Sequence, residues 1–452
     1  MEDSVGHVPV VESTAGSEYA VVHLVAQESF KGLIESQVID HMAVQATVPG
    51  VGRPSRIVVG LIEPARVAIR RATRDRSREL QARGGSLYVR LLPYIGRLSV
   101  AANARWMSRR LRREVGRLPV VFHCRGESAV AWASAIRESM PRAAIVADFR
   151  GIWPDEQLHA RGYGSPADAD EESLGAYRAG MANIRHALAV ADESLAVSEP
   201  LREWLVQHGG DADRLSVVPC SVRVLAADPA RRTAARARLG LEDKLVLAYL
   251  GTVVRYQHIA DGFAAFCREA MRARRGADIH VLCITPHLDP MRRQLVEAGI
   301  PDRAVTIVSV PQRAVPDILC AADAGFLIRE GSVVNRVAMP VKLGEYLACG
   351  VPVIVSRVDG WVGELVERAG AGVAVDWFGA SASSRAAEVS RSLRAIAEGG
   401  MELRHRASRL CREMFLWDTH VPRVRATYRR ALEHARALGD PRDRARHVEQ
   451  DA

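Results

Sequence analysis

The sequence predicts an α/β protein that contains two domains, each built on a parallel β-sheet. Two observations carry this prediction. Short apolar runs of strand length alternate with helical stretches through most of the chain, which is the pattern of βαβ units. The chain has 452 residues, 48% of them hydrophobic, and this is enough for two cores of about 200 residues each.

The first domain is predicted to cover residues 19–222. Residues 1–18 show no periodicity and are expected to be disordered. Apolar runs that end in turn signals mark the strands of this domain. These strands are predicted at residues 19–25, 56–61, 120–124 and 144–147.

A strongly basic segment, residues 66–117, interrupts this domain. It holds fifteen arginines against three acidic residues, in a chain whose net charge is +9. Apolar residues such as Leu87, Leu91, Trp106 and Leu111 recur at near-helical spacing, which predicts an insertion of amphipathic helices. The segment is either a solvated face or a surface for an anionic membrane. No aromatic-interleaved motif indicates specific binding of nucleic acid.

The second domain is predicted at residues 223–412, after a linker at about 222–228. A final helix is expected at 413–438, and the charged tail 439–452 is expected to be disordered. The strands are predicted at 245–250, 279–284, 305–308, 324–328, 351–355 and 373–375.

The composition of the chain argues against membrane-spanning, secreted and disulfide-rich classes of protein. No apolar run approaches the roughly 20 residues of a spanning helix, and the polar start lacks the order of a signal peptide, so a cytoplasmic protein is expected. The seven cysteines form no C-x-x-C pair, which argues against a disulfide framework or a zinc ribbon, and we expect them to be reduced and mostly buried. No metal-ligand motif is visible.

The most informative stretch is the short helix between Pro340 and Gly350. Proline suits a helix start and glycine suits the position after its end. Lys342 and Glu345 share one face near the N-terminus, where a phosphate would gain from the backbone N–H groups, the helix dipole and the lysine. Glu345 could accept hydroxyl groups of a sugar. The alternative is a solvated ion pair worth about 0.2–0.5 kcal/mol, but lysine is rare here: Lys342 is one of three lysines.

The run Pro340-x-Lys342-x-x-Glu345-Tyr-Leu-Ala-x-Gly350-x-Pro-Val-Ile resembles the donor-site signature of the family-four retaining glycosyltransferases. The resemblance implies the GT-B architecture: two Rossmann-like domains facing across a cleft, with a C-terminal helix that crosses back to the first domain. It also implies that Glu345 binds the ribose of a nucleotide-sugar and that basic residues hold the pyrophosphate. The family's first glutamate falls at Val337, and Ser332 and Asn335 are the nearest polar candidates for the donor.

Two loops extend the resemblance. The loop after the first strand holds Lys31 and Gly32, where the family has a glycine-rich turn beside the substrates. The loop after the strand at 245–250 begins Gly251-Thr252 and leads to Arg255, which the resemblance makes a candidate for the pyrophosphate clamp.

Polar residues follow two neighbouring strands of the first domain. His123 and Arg125 end one strand, while Asp148 and Arg150 end the next. The carboxyl ends of parallel strands are where open α/β sheets bind ligands, so these four side chains are predicted to face one cleft, with His123 and Arg125 on the acceptor side. The alternative is a set of strand-end caps and salt bridges. The family's sugar-contacting histidine would fall at or beside Arg150 and is absent.

The predicted function is therefore transfer of a sugar from a nucleotide-sugar donor with retention of configuration. The resemblance implies an acceptor that is a glycan or a lipid-linked intermediate of cell-surface polysaccharide synthesis, with the protein cytoplasmic or peripheral at the inner membrane face. Lys342, Arg255 and the helix dipole would neutralise the leaving diphosphate, with Asp148 and Arg150 as further catalytic candidates and with no cofactor or metal ion.

Two other functions stay open. A nucleotide-sugar epimerase shares the architecture and would need an acid/base pair, for which Asp148 and Glu127 are candidates. A non-catalytic protein that binds nucleotide-sugars would explain Val337 and the missing histidine.

Overall fold

The computed structural model describes residues 19–26, 37–38, 40–46, 57–61, 87–91, 96–223, 225–254, 257–273, 279–357 and 360–437. The predicted disordered ends, 1–18 and 439–452, lie outside these residues. The chain divides into two compact units that alternate along the sequence. Unit 1 comprises Met1–Asp148, Ala187–Ser194 and Arg423–Ala452, and unit 2 comprises Phe149–His186 and Leu195–Pro422. The domain boundaries that the sequence suggests stay predictions.

Among the described residues, the first sheet has seven strands in the order β3-β2-β1-β4-β5-β6-β7. β1 pairs in parallel with β2 and β4, β2 with β3, and β4 with β5. The order reverses between β1 and β4, which is the topological switch point of a doubly wound sheet. The strands are β1 (Ala20–Ala26), β2 (Ile57–Leu61), β3 (Leu87–Leu91), β4 (Val120–Arg125), β5 (Ala144–Phe149), β6 (Glu193–Ala196) and β7 (Leu215–Val217).

The second sheet, in the part of the chain that the structure describes, has six strands in the order β10-β9-β8-β11-β12-β13, and all five pairings are parallel. Its strands are near-continuous apolar runs because helices cover both faces of a parallel sheet. They are β8 (Leu245–Leu250), β9 (Ile279–Ile284), β10 (Val305–Val308), β11 (Ala324–Leu327), β12 (Val353–Ser356) and β13 (Gly372–Val375). The strands predicted for this domain are confirmed, with bounds that differ by at most two residues.

Helices connect the strands. Those up to the end of the first sheet are α1 (Asp40–Ala46), α2 (Gly96–Val115), α3 (Glu127–Arg137), α4 (Trp153–Arg161), α5 (Glu171–Val190) and α6 (Glu199–Gln207). The others are α7 (Pro229–Leu239), α8 (Ala265–Ala273), α9 (Leu288–Glu297), α10 (Pro316–Leu319), α11 (Val333–Val337), α12 (Val341–Ala348), α13 (Trp361–Arg368), α14 (Ala382–Met414) and α15 (Trp417–Ala437). α14 is kinked at Gly400, whose backbone is not helical.

The basic segment 66–117 is helical only in part. Residues 96–115 form the predicted helix α2, but Leu87–Leu91 form strand β3, which pairs with β2. The helical prediction for Leu87 and Leu91 is therefore wrong. Leu87, Val89 and Leu91 alternate with Tyr88 and Arg90, which is the period of two of a strand. The four-residue spacing of the leucines fits either period.

The last helix, α15, lies where the sequence predicts it. Its residues from Arg423 onward belong to unit 1. There the guanidinium Nη2 of Arg430 donates to the buried carboxylate of Glu193 at 2.7 Å, and His434 lies 3.2 Å from the same carboxylate. Glu193 is the first residue of β6 and is 1% exposed, so this pairing ties the helix to β6.

Candidate functional site

Helix α12 carries the two charged residues that the sequence marks as the site. Pro340, with φ −67°, immediately precedes the helix, and Gly350 adopts φ 62° just after it, which confirms the predicted start and stop. Leu343 and Leu347 are fully buried, whereas Lys342 and Glu345 are partly exposed. The helix therefore packs through its leucines and presents its charges on another face.

The ring of Tyr346 fixes α12 against the second sheet. Its hydroxyl accepts a hydrogen bond from the backbone N–H of Leu250 at 2.8 Å. Gly325 on β11 makes room for this ring, since a Cβ at that position would lie 2.3 Å from Tyr346. These contacts place α12 beside the carboxyl end of β8.

The ammonium of Lys342 is held by two side chains from the region of β8. It donates to the Gln257 Oε1 atom at 2.6 Å and to the Tyr249 hydroxyl at 3.4 Å. It also lies 4.5 Å from the centroid of the Tyr249 ring, which is a cation–π contact. These three contacts fix the position of the ammonium.

Burial lowers the pKa of Lys342 to about 7, from an ordinary value of 10.5. The positive charge of Arg329 lowers this pKa as well, while the carboxylate of Glu345 raises it. Arg329 follows β11 and is 4% exposed. The positive charges of Lys342 and Arg329 thus repel each other in a partly desolvated site, and an anion bound there would reduce this repulsion.

Glu345 lies on the same helix face and accepts a hydrogen bond from the Gln312 side-chain amide. Burial raises the pKa of Glu345, and this hydrogen bond and the charge of Lys342 oppose the rise. The glutamate is therefore a carboxylate with part of its hydration removed, and a group that donates hydrogen bonds would stabilise it.

Gly251 and Thr252 come directly after β8, as predicted. Gly251 has φ 126°, and a Cβ added to it would lie 3.2 Å from the Lys342 nitrogen. The structure thus brings Gly251 and Lys342 together. Thr252 is exposed, and its carbonyl oxygen accepts a hydrogen bond from the Tyr249 hydroxyl at 2.7 Å.

Ser332 caps the short helix α11, and Asn335 is a residue of that helix. The Ser332 hydroxyl accepts from the backbone N–H of Asn335 at 3.2 Å, which starts α11. Asn335 is fully buried and donates through Nδ2 to the carbonyl of Glu330 at 2.8 Å. Val337 is 4% exposed and belongs to the core. The donor roles of Ser332 and Asn335 stay predictions, and Asn335 would have to turn outward to contact a ligand.

Three predicted site residues cannot be placed. Lys31, Gly32 and Arg255 lie outside the described residues. Their assignment to the donor site stays a prediction.

His123 and Asp148 meet inside unit 1. The His123 Nε2 atom lies 3.1 Å from the Asp148 carboxylate, and its Nδ1 atom lies 2.8 Å from the Tyr428 hydroxyl. Arg125 is 7% exposed at the end of β4, where it is in register with Asp148. All three are buried, and their catalytic and acceptor roles stay predictions.

Arg150 belongs to unit 2, although it is close in sequence to Asp148. One of its guanidinium nitrogens lies 3.8 Å from the Cys220 sulfur, and the guanidinium carbon lies 6.0 Å from the centroid of the Trp417 ring. Its catalytic role stays a prediction.

Four residues of the site were missed in the sequence: Tyr249, Gln257, Gln312 and Arg329. Gln312 lies between Pro311 and Pro316, 33 residues before Glu345 in the sequence. Tyr249 and Gln257 are 93 and 85 residues from Lys342 in sequence, so only the fold brings them to the lysine. Arg329 is nearer in sequence, but it follows a different element, β11.

The described residues also include a group of histidines that no sequence motif reveals. His23, His41 and His123 are buried and offer ring nitrogens within 4.8 Å of one another. They come from three separate elements, so no ligand spacing links them in the sequence.

Comparison with known proteins identifies the region around Lys342 and Glu345. Residues 244–393 match the family model described as Glycosyl transferases group 1. The matched segment extends from β8 into α14, and Gly251, Arg329, Lys342 and Glu345 all lie in it.

A curated relative matches a shorter part of the chain. The D-inositol 3-phosphate glycosyltransferase of Nocardia farcinica is 26% identical over 257 residues, which are 52% of this chain. The chain thus spans a little over half, 56%, of that relative's length.

Solved structures with the same fold match nearly the whole chain. The Anabaena protein HepE in complex with UDP has a TM-score of 0.62 at 15% identity, over 90% of this chain and 99% of that one. Sucrose-phosphate synthase from Thermosynechococcus elongatus has a TM-score of 0.61 at 16% identity, over 91% and 98%. Together with the two parallel sheets, these similarities confirm the predicted GT-B fold.

None of the helices in the described part of the chain has both the length and the apolar character needed to cross a membrane.

Proposed function

We propose that the protein is a glycosyltransferase that moves a sugar from a nucleotide-sugar donor to an acceptor. The observation that carries this proposal is the position of Lys342, which lies beside Gly251 and feels the positive charge of Arg329. The helix of Lys342 also bears Glu345, and all four residues lie in the segment that matches the family model. Two neighbouring cations suit a diphosphate, and a partly dehydrated carboxylate suits the hydroxyl groups of a ribose. The structures of HepE with UDP and with UDP-glucose support a nucleotide-sugar as the donor.

In this proposal the donor diphosphate displaces the contacts that hold Lys342. The ammonium exchanges its contacts with Gln257 and Tyr249 for a contact with a phosphate oxygen. Because Gly251 has no side chain, the phosphate can approach the backbone closely at that residue. Negative charge grows on the diphosphate as the sugar leaves, and Lys342, Arg329 and the N-terminus of α12 stabilise it without a metal ion. Configuration is retained, and a donor phosphate oxygen takes the acceptor proton.

The proposed acceptor is a glycan or a lipid-linked intermediate of polysaccharide synthesis. A lipid-linked acceptor would be met at the inner membrane face, and the exposed arginines of α2 would favour an anionic surface there. The proposed location is therefore cytoplasmic and peripheral to the membrane.

The test is incubation with a panel of nucleotide-sugars, first without and then with lipid-linked and glycan acceptors. A transferase releases nucleoside diphosphate and extends an acceptor, and the anomeric configuration of the product reports retention. Conversion of the donor sugar in the absence of any acceptor would instead indicate an epimerase. Binding without turnover in the whole panel would indicate a non-catalytic binding protein.

Substitution of Lys342 tests the assigned chemistry. Because the charge on the diphosphate is greatest in the transition state, Lys342→Ala should reduce turnover more than donor affinity. An equal loss of both, or no loss in a folded variant, would contradict the role given to this lysine.

A further inference from the structure

Three buried histidines meet in unit 1. His23 on β1 and His123 on β4 are partners across the parallel ladder, and their ring centroids are 4.6 Å apart. His41 on α1 lies over both, with its ring centroid 5.4 Å from each of the other two. The three residues are 1%, 1% and 3% exposed. Histidine is seldom fully buried, so three together in one core require an explanation.

The geometry suits the ligand set of a metal ion. One nitrogen can be chosen from each ring so that the three lie within 4.8 Å of one another. Ligand nitrogens around zinc, each about 2.0–2.1 Å from the ion, are about 3.4 Å apart in a tetrahedron. Small rotations of the side chains would therefore bring all three nitrogens to one ion.

Asp148 provides the outer support that such a site needs. A carboxylate only accepts hydrogen bonds, so the contact at 3.1 Å places a proton on the His123 Nε2 atom and leaves Nδ1 for a ligand. A carboxylate that orients a ligating histidine in this way is common in metal sites. Its negative charge also offsets the charge of a cation among neutral imidazoles.

A fourth ligand is available on α15. The Tyr428 hydroxyl lies 2.8 Å from the His123 Nδ1 atom, and Tyr428 is fully buried. A metal ion between these two atoms would replace their hydrogen bond with two coordinate bonds. The site would then join β1, α1, β4 and the C-terminal part of α15, all of them in unit 1.

We propose that His23, His41, His123 and Tyr428 form a structural site for a divalent transition-metal ion of the zinc class. Imidazole ligands favour zinc, copper, iron or nickel over calcium or magnesium, which prefer oxygen. The ion stabilises unit 1 by cross-linking four elements, and it takes no part in the chemistry at Lys342 and Glu345.

The test is metal binding by the full-length protein. After chelation and dialysis, the protein is titrated with Zn²⁺ in competition with a chromophoric chelator, and X-ray absorption gives the ligands of the bound ion. We expect one ion per chain, nitrogen and oxygen ligands at about 2.0–2.1 Å, and a higher melting temperature. Failure of the wild-type protein to compete with the chelator, or sulfur ligation by its cysteines, would overturn the proposal.

Variants locate the ion. His23→Gln and His41→Gln should each abolish binding, and Asp148→Asn should keep the stoichiometry but weaken affinity by about tenfold to a hundredfold. His280→Gln is the matched control, because His280 is a buried strand histidine that is hydrogen-bonded to Thr306 and lies outside the group. Retention of the ion in both ligand variants would also overturn the proposal. If these variants do not fold, the titration and the absorption spectrum of the wild-type protein decide it.

Discussion

Lys342 is a lysine in surroundings that favour its neutral form. The groups that face it are Arg329, Glu345, Gln257 and Tyr249, and the balance lowers its pKa to about 7. Below pH 7 the free protein already carries the ammonium that a diphosphate needs. Above pH 7 a proton must be taken up as the donor binds, because the anion raises the pKa of the lysine in the complex.

Donor affinity should therefore fall as the pH rises above about 7, by at most tenfold per pH unit. Calorimetry of nucleotide-sugar binding at pH 8, in two buffers with different ionisation enthalpies, should show proton uptake. Lys342→Arg, which stays charged, should abolish that uptake. Equal apparent enthalpies for the wild-type protein in both buffers would show that Lys342 does not change its protonation on binding.

Glu345 tests the ribose contact by itself. Glu345→Ala removes a partly buried carboxylate whose helix packs through other side chains, so binding should suffer more than folding. Loss of a charged hydrogen bond worth about 1.5–3 kcal/mol should weaken donor binding roughly tenfold to a hundredfold, with little change in melting temperature.

The matched control is Glu367→Ala. The Glu367 carboxylate pairs with Arg357 at the surface of unit 2, so the same charge is lost away from the site. Calorimetric affinity and thermal melting of both variants settle the comparison. Unchanged donor affinity in a folded Glu345→Ala protein would remove the main support for the proposed donor site.

The position of α12 depends on a close fit between Tyr346 and β11. A methyl group added by Gly325→Ala would lie 2.3 Å from the ring, so the ring and the part of α12 that carries it must shift. Such overpacking costs about 1–3 kcal/mol. We expect a lower melting temperature together with weaker donor binding, both measured on the purified variant.

Gly175→Ala is the control for this substitution. Gly175 is an exposed residue of α5, and an added methyl group there meets nothing within 4 Å. It should be neutral or slightly stabilising, because alanine favours a helix. A Gly325→Ala protein as stable as Gly175→Ala would show that Tyr346 does not fix the helix.

Helix α2 presents a basic outer face. Met107 and Leu111 are buried, while Arg105, Arg109, Arg112 and Arg113 are exposed. Trp106 is 43% exposed on the same helix, and the Arg110 guanidinium lies 5.8 Å from its ring centroid. An aromatic ring among arginines is suited to the interface of an anionic membrane.

We predict that the protein floats with anionic liposomes at low salt. Each arginine near the surface contributes about 1 kcal/mol, so Arg109→Gln combined with Arg113→Gln should reduce binding roughly thirtyfold. Arg394→Gln combined with Arg409→Gln, at exposed positions of α14, is the control and should have no effect. If the protein stays at the bottom of the gradient while the anionic liposomes float, or if it floats equally well with neutral liposomes, this role is excluded.

The fold of the protein was predictable wherever the pattern of apolar residues fits only one kind of secondary structure. The strands at 245–250, 279–284 and 305–308 were found with exact bounds because uninterrupted apolar runs lie between turn signals. β3 was missed because leucines four residues apart fit a helix and a strand equally well. Its pairing with β2 is a long-range contact that the local sequence does not show. Lys342 and Glu345 were found because proline and glycine mark the ends of their helix.

The rest of the site depends on contacts that no local pattern reveals. Tyr249 and Gln312 reach α12 only after the second sheet has formed. The histidine group has the same origin, since His23 and His123 become neighbours through the pairing of β1 with β4.

The seven cysteines are distributed over both units of the protein. All seven are buried and free, and burial raises the pKa of Cys124, Cys267, Cys283 and Cys411, which keeps these thiols protonated and unreactive. The folded protein should therefore react slowly with a thiol reagent, whereas in denaturant all seven thiols should react at once. Counting the released chromophore with and without denaturant checks this. Fewer than seven thiols in denaturant without reductant would reveal a disulfide, and rapid reaction of the native protein would show that a cysteine-bearing element opens readily to solvent.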